Sequence, residues 1–142
     1  MGFLTLNELE TMGFAHIGIN VLISDKCSIY NPSKISIESN VRIDDFCIIS
    51  AGEKGIKIGN NVHIACYVSL IGKELIEIGN FVGISSKTAI YSSSDDYSGN
   101  FLTGPTVDEK FKNVDNRKVK LEDHVIIGAQ CVILPGVTIK EG

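Results

Sequence analysis

Aliphatic residues recur every six positions along almost the whole chain. They stand at Ile17, Ile23 and Ile29, then Ile37, Ile43 and Ile49, then Ile58, Ile64 and Leu70, then Ile78, Ile84 and Ile90, and after a gap at Leu121, Ile127, Ile133 and Ile139. Four residues after the first member of each triplet stands a valine: Val21, Val41, Val62, Val82 and Val125. A helical period of 3.6 would scatter sixfold-spaced residues around the axis, and strict alternation would bury every second residue. A six-residue unit made of a short strand and a corner satisfies the pattern. Three such units close a triangular coil of about 18 residues, and the next coil stacks about 4.8 Å away at the usual strand spacing. Same-register side chains then climb the interior as ladders, one of them Ile17, Ile37, Ile58, Ile78 and Leu121.

The corners agree with this reading. Asn20, Asn40 and Asn61 share one corner of three successive coils, and Asn is the non-glycine residue that best tolerates a left-handed backbone. Gly18, Gly59, Gly79 and Gly128 follow the first aliphatic of their units, and each coil after the first opens with an added pair, as in Ile35-Ser36-Ile37 and Ile56-Lys57-Ile58. Coil starts at Ile17, Ile37, Ile58 and Ile78 are therefore 20, 21 and 20 residues apart. Ile at 21 positions and Val at 11 among 142 residues favour strands over helices. The expected fold is all-β: a three-sided parallel solenoid of about five coils, in a single domain spanning residues 1–142.

Two stretches interrupt the repeat. Residues 4–13 place Leu6, Leu9 and Met12 on one helical face, with Thr5 and Glu8 at capping-box spacing and Gly13 as a stop. This predicts a short helix capping the open first coil, the protection that an exposed solenoid edge requires. Residues 91–118 carry no ladder residue and are rich in turn formers, so coils at 17–90 and 121–139 flank one long loop. A loop of that length in a compact domain is usually functional or disordered. Its apolar points Phe101, Leu102 and Phe111 need somewhere to bury.

A net charge of −4, with no basic run or basic aromatic stripe, argues against nucleic acid as a partner. No apolar stretch approaches the roughly 20 residues needed to span a bilayer, and the start MGFLTLNELE lacks a basic n-region. A cytoplasmic protein without membrane insertion is expected.

The hexapeptide pattern, with IGNNVHIA, IGNFVGIS and VIIGAQCVILPGVTI, closely resembles the left-handed parallel β-helix acyltransferases. Within them it is most similar to the galactoside, maltose and xenobiotic acetyltransferase branch, and there to the enzymes that acetylate sugars for surface polysaccharides. The resemblance covers residues 14–142 and supplies the left hand, which spacing alone leaves open. It implies a homotrimer with parallel axes, acetyl-CoA in the cleft between subunits, and a histidine as general base. The reaction implied is O- or N-acetylation of a sugar or nucleotide sugar. In the family the base commonly sits in the long loop, where this chain has Ser94-Asp95-Asp96-Tyr97-Ser98-Gly99 and no histidine. Family members usually continue into a further coil and tail, whereas this sequence ends at Lys140-Glu141-Gly142, so part of the CoA-binding wall is expected to lie outside it. An inactive or truncated solenoid with a binding role is the alternative reading.

The candidate residues follow from register. His63 precedes inward Ile64 and so points outward, with Arg42 below it and Gly83 above, where the missing side chain leaves room for a ligand. It is either an idle strand histidine or the base, since an ordinary imidazole already titrates near neutrality. Asp95 or Asp96 from an adjacent subunit would orient it or bond the sugar; equally, SSSDDYSG is good turn sequence. Tyr97, Arg42 and Gly83 are assigned to the acceptor. His124 takes the corner held elsewhere by Asn and is the second candidate base. Gly128 and Ala129 resemble the family's small-residue stretch that meets the pantetheine arm of acetyl-CoA. His16, beside the cap, is expected to be structural. Cys27, Cys47 and Cys131 share an inward register with Val68 and Thr88 and read as core residues. His16, His63 and His124 are too scattered for the three-histidine zinc site of the carbonic anhydrases on this fold, and no metal is expected.

Overall fold

A computed structural model describes residues 2–142. The short helix α1 (Leu6–Thr11) comes first, and its capping box forms as expected: Glu8 N–H donates to Thr5 Oγ1, and Thr5 N–H to the Glu8 carboxylate. Only one of the three apolar residues assigned to its face is fully used. Leu9 enters the core, whereas Leu6 is 71% exposed. The helix is too short to turn a whole stripe inward, and Leu4 and Phe14, just outside it, pack against the core instead.

Strands β1 (His16–Ile17), β2 (Val21–Ile23) and β3 (Ser28–Tyr30) make the first coil. The second consists of β4 (Ile35–Ile37), β5 (Val41–Ile43) and β6 (Ile48–Ala51), and the third of β7 (Ile56–Ile58), β8 (Val62–Ile64) and β9 (Ser69–Gly72). The fourth holds β10 (Ile76–Ile78), β11 (Gly83–Ile84) and β12 (Ala89–Tyr91). After the loop, which contributes β13 (Ser93–Ser94) and β14 (Asp115–Asn116), come β15 (Val119–Leu121), β16 (Ile126–Ile127), β17 (Val132–Ile133) and β18 (Thr138–Ile139). Strands pair in parallel with the coil above and below. The first face is β1-β4-β7-β10-β15-β18, the second β2-β5-β8-β11-β16, and the third β3-β6-β9-β12-β17. Five coils are complete and a sixth strand opens the next on the first face.

The register is the one the sixfold spacing sets. Ile43, Ile64, Ile84 and Ile127 stack on the second face, and Ile49, Leu70, Ile90 and Ile133 on the third. The middle coils bury these residues almost completely. Cys47, Val68 and Thr88 are buried at their shared register, with Cys27 and Cys131 partly covered toward the ends. The Cys27 and Cys47 thiols donate to the carbonyls of Asp44 and Ala65 one coil up, and Thr88 Oγ1 does the same to Gly128. The neighbouring Cys27 thiol and burial push the Cys47 thiol well above its ordinary value, so it stays protonated and inert.

The first corner is left-handed in every complete coil: Asn20, Asn40, Asn61, Phe81 and His124 have φ between 57° and 62°. Just before it runs a ladder of polar caps. Ile19 N–H donates to Ser39 Oγ, Ser39 N–H to Asn60 Oδ1, Asn60 N–H to Asn80 Oδ1 and Asn80 N–H to Asp123 Oδ1, at 2.7–3.0 Å. Coils lie so close here that a Cβ on Gly79 would sit 2.9 Å from Asp123 N, which is why glycine precedes the caps Asn60 and Asn80. A second corner is left-handed at Phe46, Tyr67, Lys87 and Gln130. The sequence gives little sign of it, because bulky side chains are poor candidates for positive φ. Phe46 and Tyr67 offset the strain by stacking their rings 5.1 Å apart.

The long loop is not structureless. β13 and β14 pair antiparallel, a 3-10 turn spans Glu109–Phe111, and the nearly covered Lys112 ammonium donates to the Gly104 carbonyl and pairs with Glu109. Buried Ser92 anchors the root of the loop by donating to the Glu74 carbonyl at 2.7 Å. Phe101, Leu102 and Phe111 remain exposed.

Replacing Ile64 with Ala should cost about 2–5 kcal/mol, because the void is walled by rigid rungs above and below. Denaturant titration checks this, and a loss under about 1 kcal/mol would contradict the stacking register.

Candidate functional site

On the outer surface of the second face, residues in one register form a column: Leu22, Arg42, His63, Gly83 and Ile126. Alternation puts them outside, because their neighbours Val62 and Ile64 are locked inward. Arg42, His63 and Gly83, assigned from the sequence to one patch, are therefore adjacent. Nothing lies within 4 Å of where a Cβ on Gly83 would stand, so the space above His63 is open.

The sequence reading missed the residue that joins this column. Asp44 lies two positions beyond Arg42, where the strand ends and the chain turns the second corner. Its Oδ2 is 2.8 Å from His63 Nε2, and its Oδ1 accepts from Arg42 Nε at 2.7 Å. The Asp44 side chain is 20% exposed, while His63 and Arg42 are more than half exposed. Burial alone would push the Asp44 carboxyl upward, but the hydrogen bonds from His63 and Arg42 and their charges hold it below its ordinary value. The Arg42 guanidinium also lies over the Phe3 ring, 6.0 Å from its centroid, so the segment ahead of α1 helps fix one end of the triad.

Asp95, Asp96 and Tyr97 line a groove in the loop together with Asn113, Val114, Asp115 and Asn116. The two carboxylates differ. Asp96 accepts from Ser98 N–H at 2.7 Å and from Asn113 Nδ2 at 2.9 Å, and those bonds hold it below the usual carboxylate range. The Asp95 carboxylate has one long contact, with Gly104 N–H at 3.5 Å. Tyr97 is 86% exposed. Among the described residues no hydrogen bond or ion pair joins His63 to the loop. The chain leaves after β12 on the third face and returns at β15 on the first, so the loop is rooted at the vertex opposite the face that carries His63.

Gly128 and Ala129 turn the second corner of the fifth coil and are exposed. Beneath them Ser85 N–H donates to the Ile127 carbonyl and Gln130 N–H to the Ser86 carbonyl, which puts a serine pair, also missed from the sequence, directly under this small-residue stretch. A Cβ on Gly128 would meet nothing within 4 Å, so packing does not demand glycine there. His124 is accounted for by its corner: φ is 62°, its N–H donates to the Asn80 carbonyl, and its ring stacks 5.2 Å from Phe81. His16 pairs with Glu38 at 3.3 Å. Among the described residues no three His, Cys, Asp or Glu side chains converge as metal ligands, and no helix is long and apolar enough to cross a membrane.

No family model matches the chain. Individual proteins do. It is 47% identical over all of its length to a dTDP-4-amino-4,6-dideoxy-D-glucose acyltransferase of Escherichia coli, of which it covers 74%. The N-acyltransferase AntD of Bacillus cereus, solved with dTDP and 3-hydroxybutyryl-CoA, is 51% identical with a TM-score of 0.93 over 99% of this chain and 74% of that one. A variant of AntD in which a serine is replaced by alanine, bound to dTDP-4-amino-4,6-dideoxyglucose and coenzyme A, gives a TM-score of 0.96. Other solved variants replace an aspartate ten residues after that serine. The bifunctional protein GlmU of Cupriavidus pinatubonensis is 29% identical over 92% of this chain and 30% of its own. The chain belongs to the hexapeptide-repeat acyltransferases, and its solenoid is their left-handed parallel β-helix. Its relatives at 47% and 51% identity act on or bind a dTDP-linked amino sugar.

The acid response of the triad follows from Asp44. Its folded value lies below the unfolded one of about 3.9, so its stabilising pairs are fully present above that value and are lost as pH falls through the folded value. The stability gap between the parent and Asp44→Asn, read from thermal melts, should shrink as pH falls below about pH 4. A gap that does not change down to pH 2.5 would contradict the paired carboxylate.

Proposed function

We propose that this chain transfers the acyl group of an acyl-CoA to the 4-amino group of dTDP-4-amino-4,6-dideoxyglucose, at sites shared between the protomers of a homotrimer. The observation that carries the reading is 47% identity along the entire chain to an enzyme of that specificity. AntD, with bound 3-hydroxybutyryl-CoA, supports a thioester as donor, and acetyl-CoA is the simplest member of that class. The amine of the sugar attacks the thioester carbonyl carbon, a C–N bond forms, the C–S bond breaks, and the departing thiolate of CoA takes up a proton. The nitrogen must shed a proton on the way, and this is the task of a general base.

His63 is assigned that task. It stands exposed beside the open space over Gly83 and is held by the partly buried carboxylate of Asp44. The loop aspartate comes from a neighbouring protomer, because within one protomer the loop is rooted at the opposite vertex. Asp95 rather than Asp96 faces the amine, since Asp96 is occupied in holding its own turn. The serine and aspartate varied in AntD are ten residues apart, the spacing here of Ser85 from Asp95 and of Ser86 from Asp96, which supports this stretch as part of the site. Gly128 and Ala129 flank the pantetheine arm, Arg42 offers its free guanidinium edge to the nucleotide diphosphate, and Tyr97 lies against the acceptor. Exposed Phe101, Leu102 and Phe111 bury against the neighbour. An activated nucleotide and a CoA thioester are cytoplasmic substrates, so the enzyme works in that compartment.

The test follows CoA thiol release with dTDP-4-amino-4,6-dideoxyglucose as acceptor. His63→Ala should lose about 10²–10⁴-fold in kcat with acyl-CoA binding nearly intact, while His124→Ala stays within a few-fold of the parent. Full activity in His63→Ala would remove it as the base, and no turnover by the parent with any short acyl-CoA would favour an inactive solenoid.

A further inference from the structure

The shared carboxylate of Asp44 fixes more than the position of His63. An ionised carboxylate only accepts hydrogen bonds. Arg42 Nε, a permanent donor, occupies Oδ1 at 2.7 Å, which leaves Oδ2 facing His63 Nε2 at 2.8 Å with nothing to offer but lone pairs. Nε2 must then carry the hydrogen. In a neutral imidazole the lone pair consequently lies on Nδ1, and among the described residues Nδ1 has no hydrogen-bond partner.

From this geometry we infer that Asp44 is a positioning residue for acyl transfer, holding His63 as the Nε2–H tautomer so that Nδ1 is the atom that accepts the proton of the amine. The inference rests on His63 being the base. Each element around the pair contributes. Phe3 and Asp44 hold the guanidinium of Arg42, Arg42 keeps the carboxylate from rotating, and Asp44, at the turn after β5, reaches upward to β8, one coil above. Above His63, Gly83 and then Ile126 offer no competing polar group in the register. When Nδ1 takes the proton from the nitrogen of the forming amide, the ring becomes a cation bonded to an anion that was already in place, so no partner needs to reorganise in that step.

The arrangement makes a directional forecast for Asp44→Asn, which preserves shape. Arg42 Nε donates to the amide oxygen, so the amide nitrogen is turned toward His63 and donates to Nε2. The lone pair is then drawn to Nε2 and Nδ1 becomes protonated, the wrong tautomer for the reaction, as in the corresponding change within a serine-protease triad.

The experiment is a two-bond proton–nitrogen correlation on the full chain labelled with ¹⁵N-histidine, recorded where the rings are neutral. Resonances of the three histidines are assigned with His16→Gln and His124→Gln. The expected result is a pyrrole-like Nε2 and a pyridine-like Nδ1 for His63 in the parent, with the two exchanged in Asp44→Asn, together with a fall of about 10²–10⁴ in kcat and little change in KM for the nucleotide sugar. A pyridine-like Nε2 in the parent would overturn the inference without any variant having to fold. Parent-like turnover in folded Asp44→Asn would overturn it while leaving the base assignment standing, provided His63→Ala is impaired. Full activity in His63→Ala would overturn both.

Discussion

Every coil of this protein must have the outline of the coil beneath it, because each strand owes its backbone hydrogen bonds to strands one coil away. A side chain that stood too far inward at one level would wedge apart the levels on either side. That constraint selects aliphatic residues at each inward position, a left-handed residue at the first corner, and glycine where the coils approach most closely. The ladder from Ile19 N–H through Ser39, Asn60 and Asn80 to Asp123 repeats one polar solution to one recurring need. Asn can play either part at this corner, capping the coil below or turning the chain, which accounts for the paired Asn60 and Asn61.

With the interior fixed in this way, the outward positions are free to carry chemistry. Arg42, His63 and Gly83 share a register that nothing inside the solenoid constrains, so a cation, an imidazole and a void can follow one another in successive coils. The stack also confers rigidity. His63 and Asp44 sit on adjacent coils of a hydrogen-bonded sheet, so their 2.8 Å contact does not depend on a mobile segment. The loop is the opposite kind of element. Its chain is held at the root by Ser92 and by the β13–β14 ribbon, and beyond these it presents polar and aromatic groups that the solenoid itself does not cover.

The solenoid was legible in the sequence because its rule is periodic: six residues per side and about twenty per coil write the inward ladders directly into residue type. The outward direction of His63 and the emptiness over Gly83 followed from the same arithmetic. Asp44 did not. It is nineteen residues from His63, two short of the 21-residue register between these coils, and meets it on a diagonal across a strand end that only the folded geometry defines. The left-handed turns at Phe46 and Tyr67 were hidden by side chains that disfavour them, and the β13–β14 pair by being two polar residues on each side. Leu6 was misplaced because a single turn and a half of helix cannot aim a whole apolar stripe at the core.

A site divided between two protomers is the central claim, and active-site complementation tests it most directly. Chains carrying only His63→Ala and chains carrying only Asp95→Asn, each inactive alone, are co-expressed with different tags, and the mixed oligomers are purified through both. If His63 of one protomer works with the loop of the next, some sites in the mixed assemblies contain both native residues, and acyl transfer returns. Mixed oligomers as inactive as either parent would contradict the shared site.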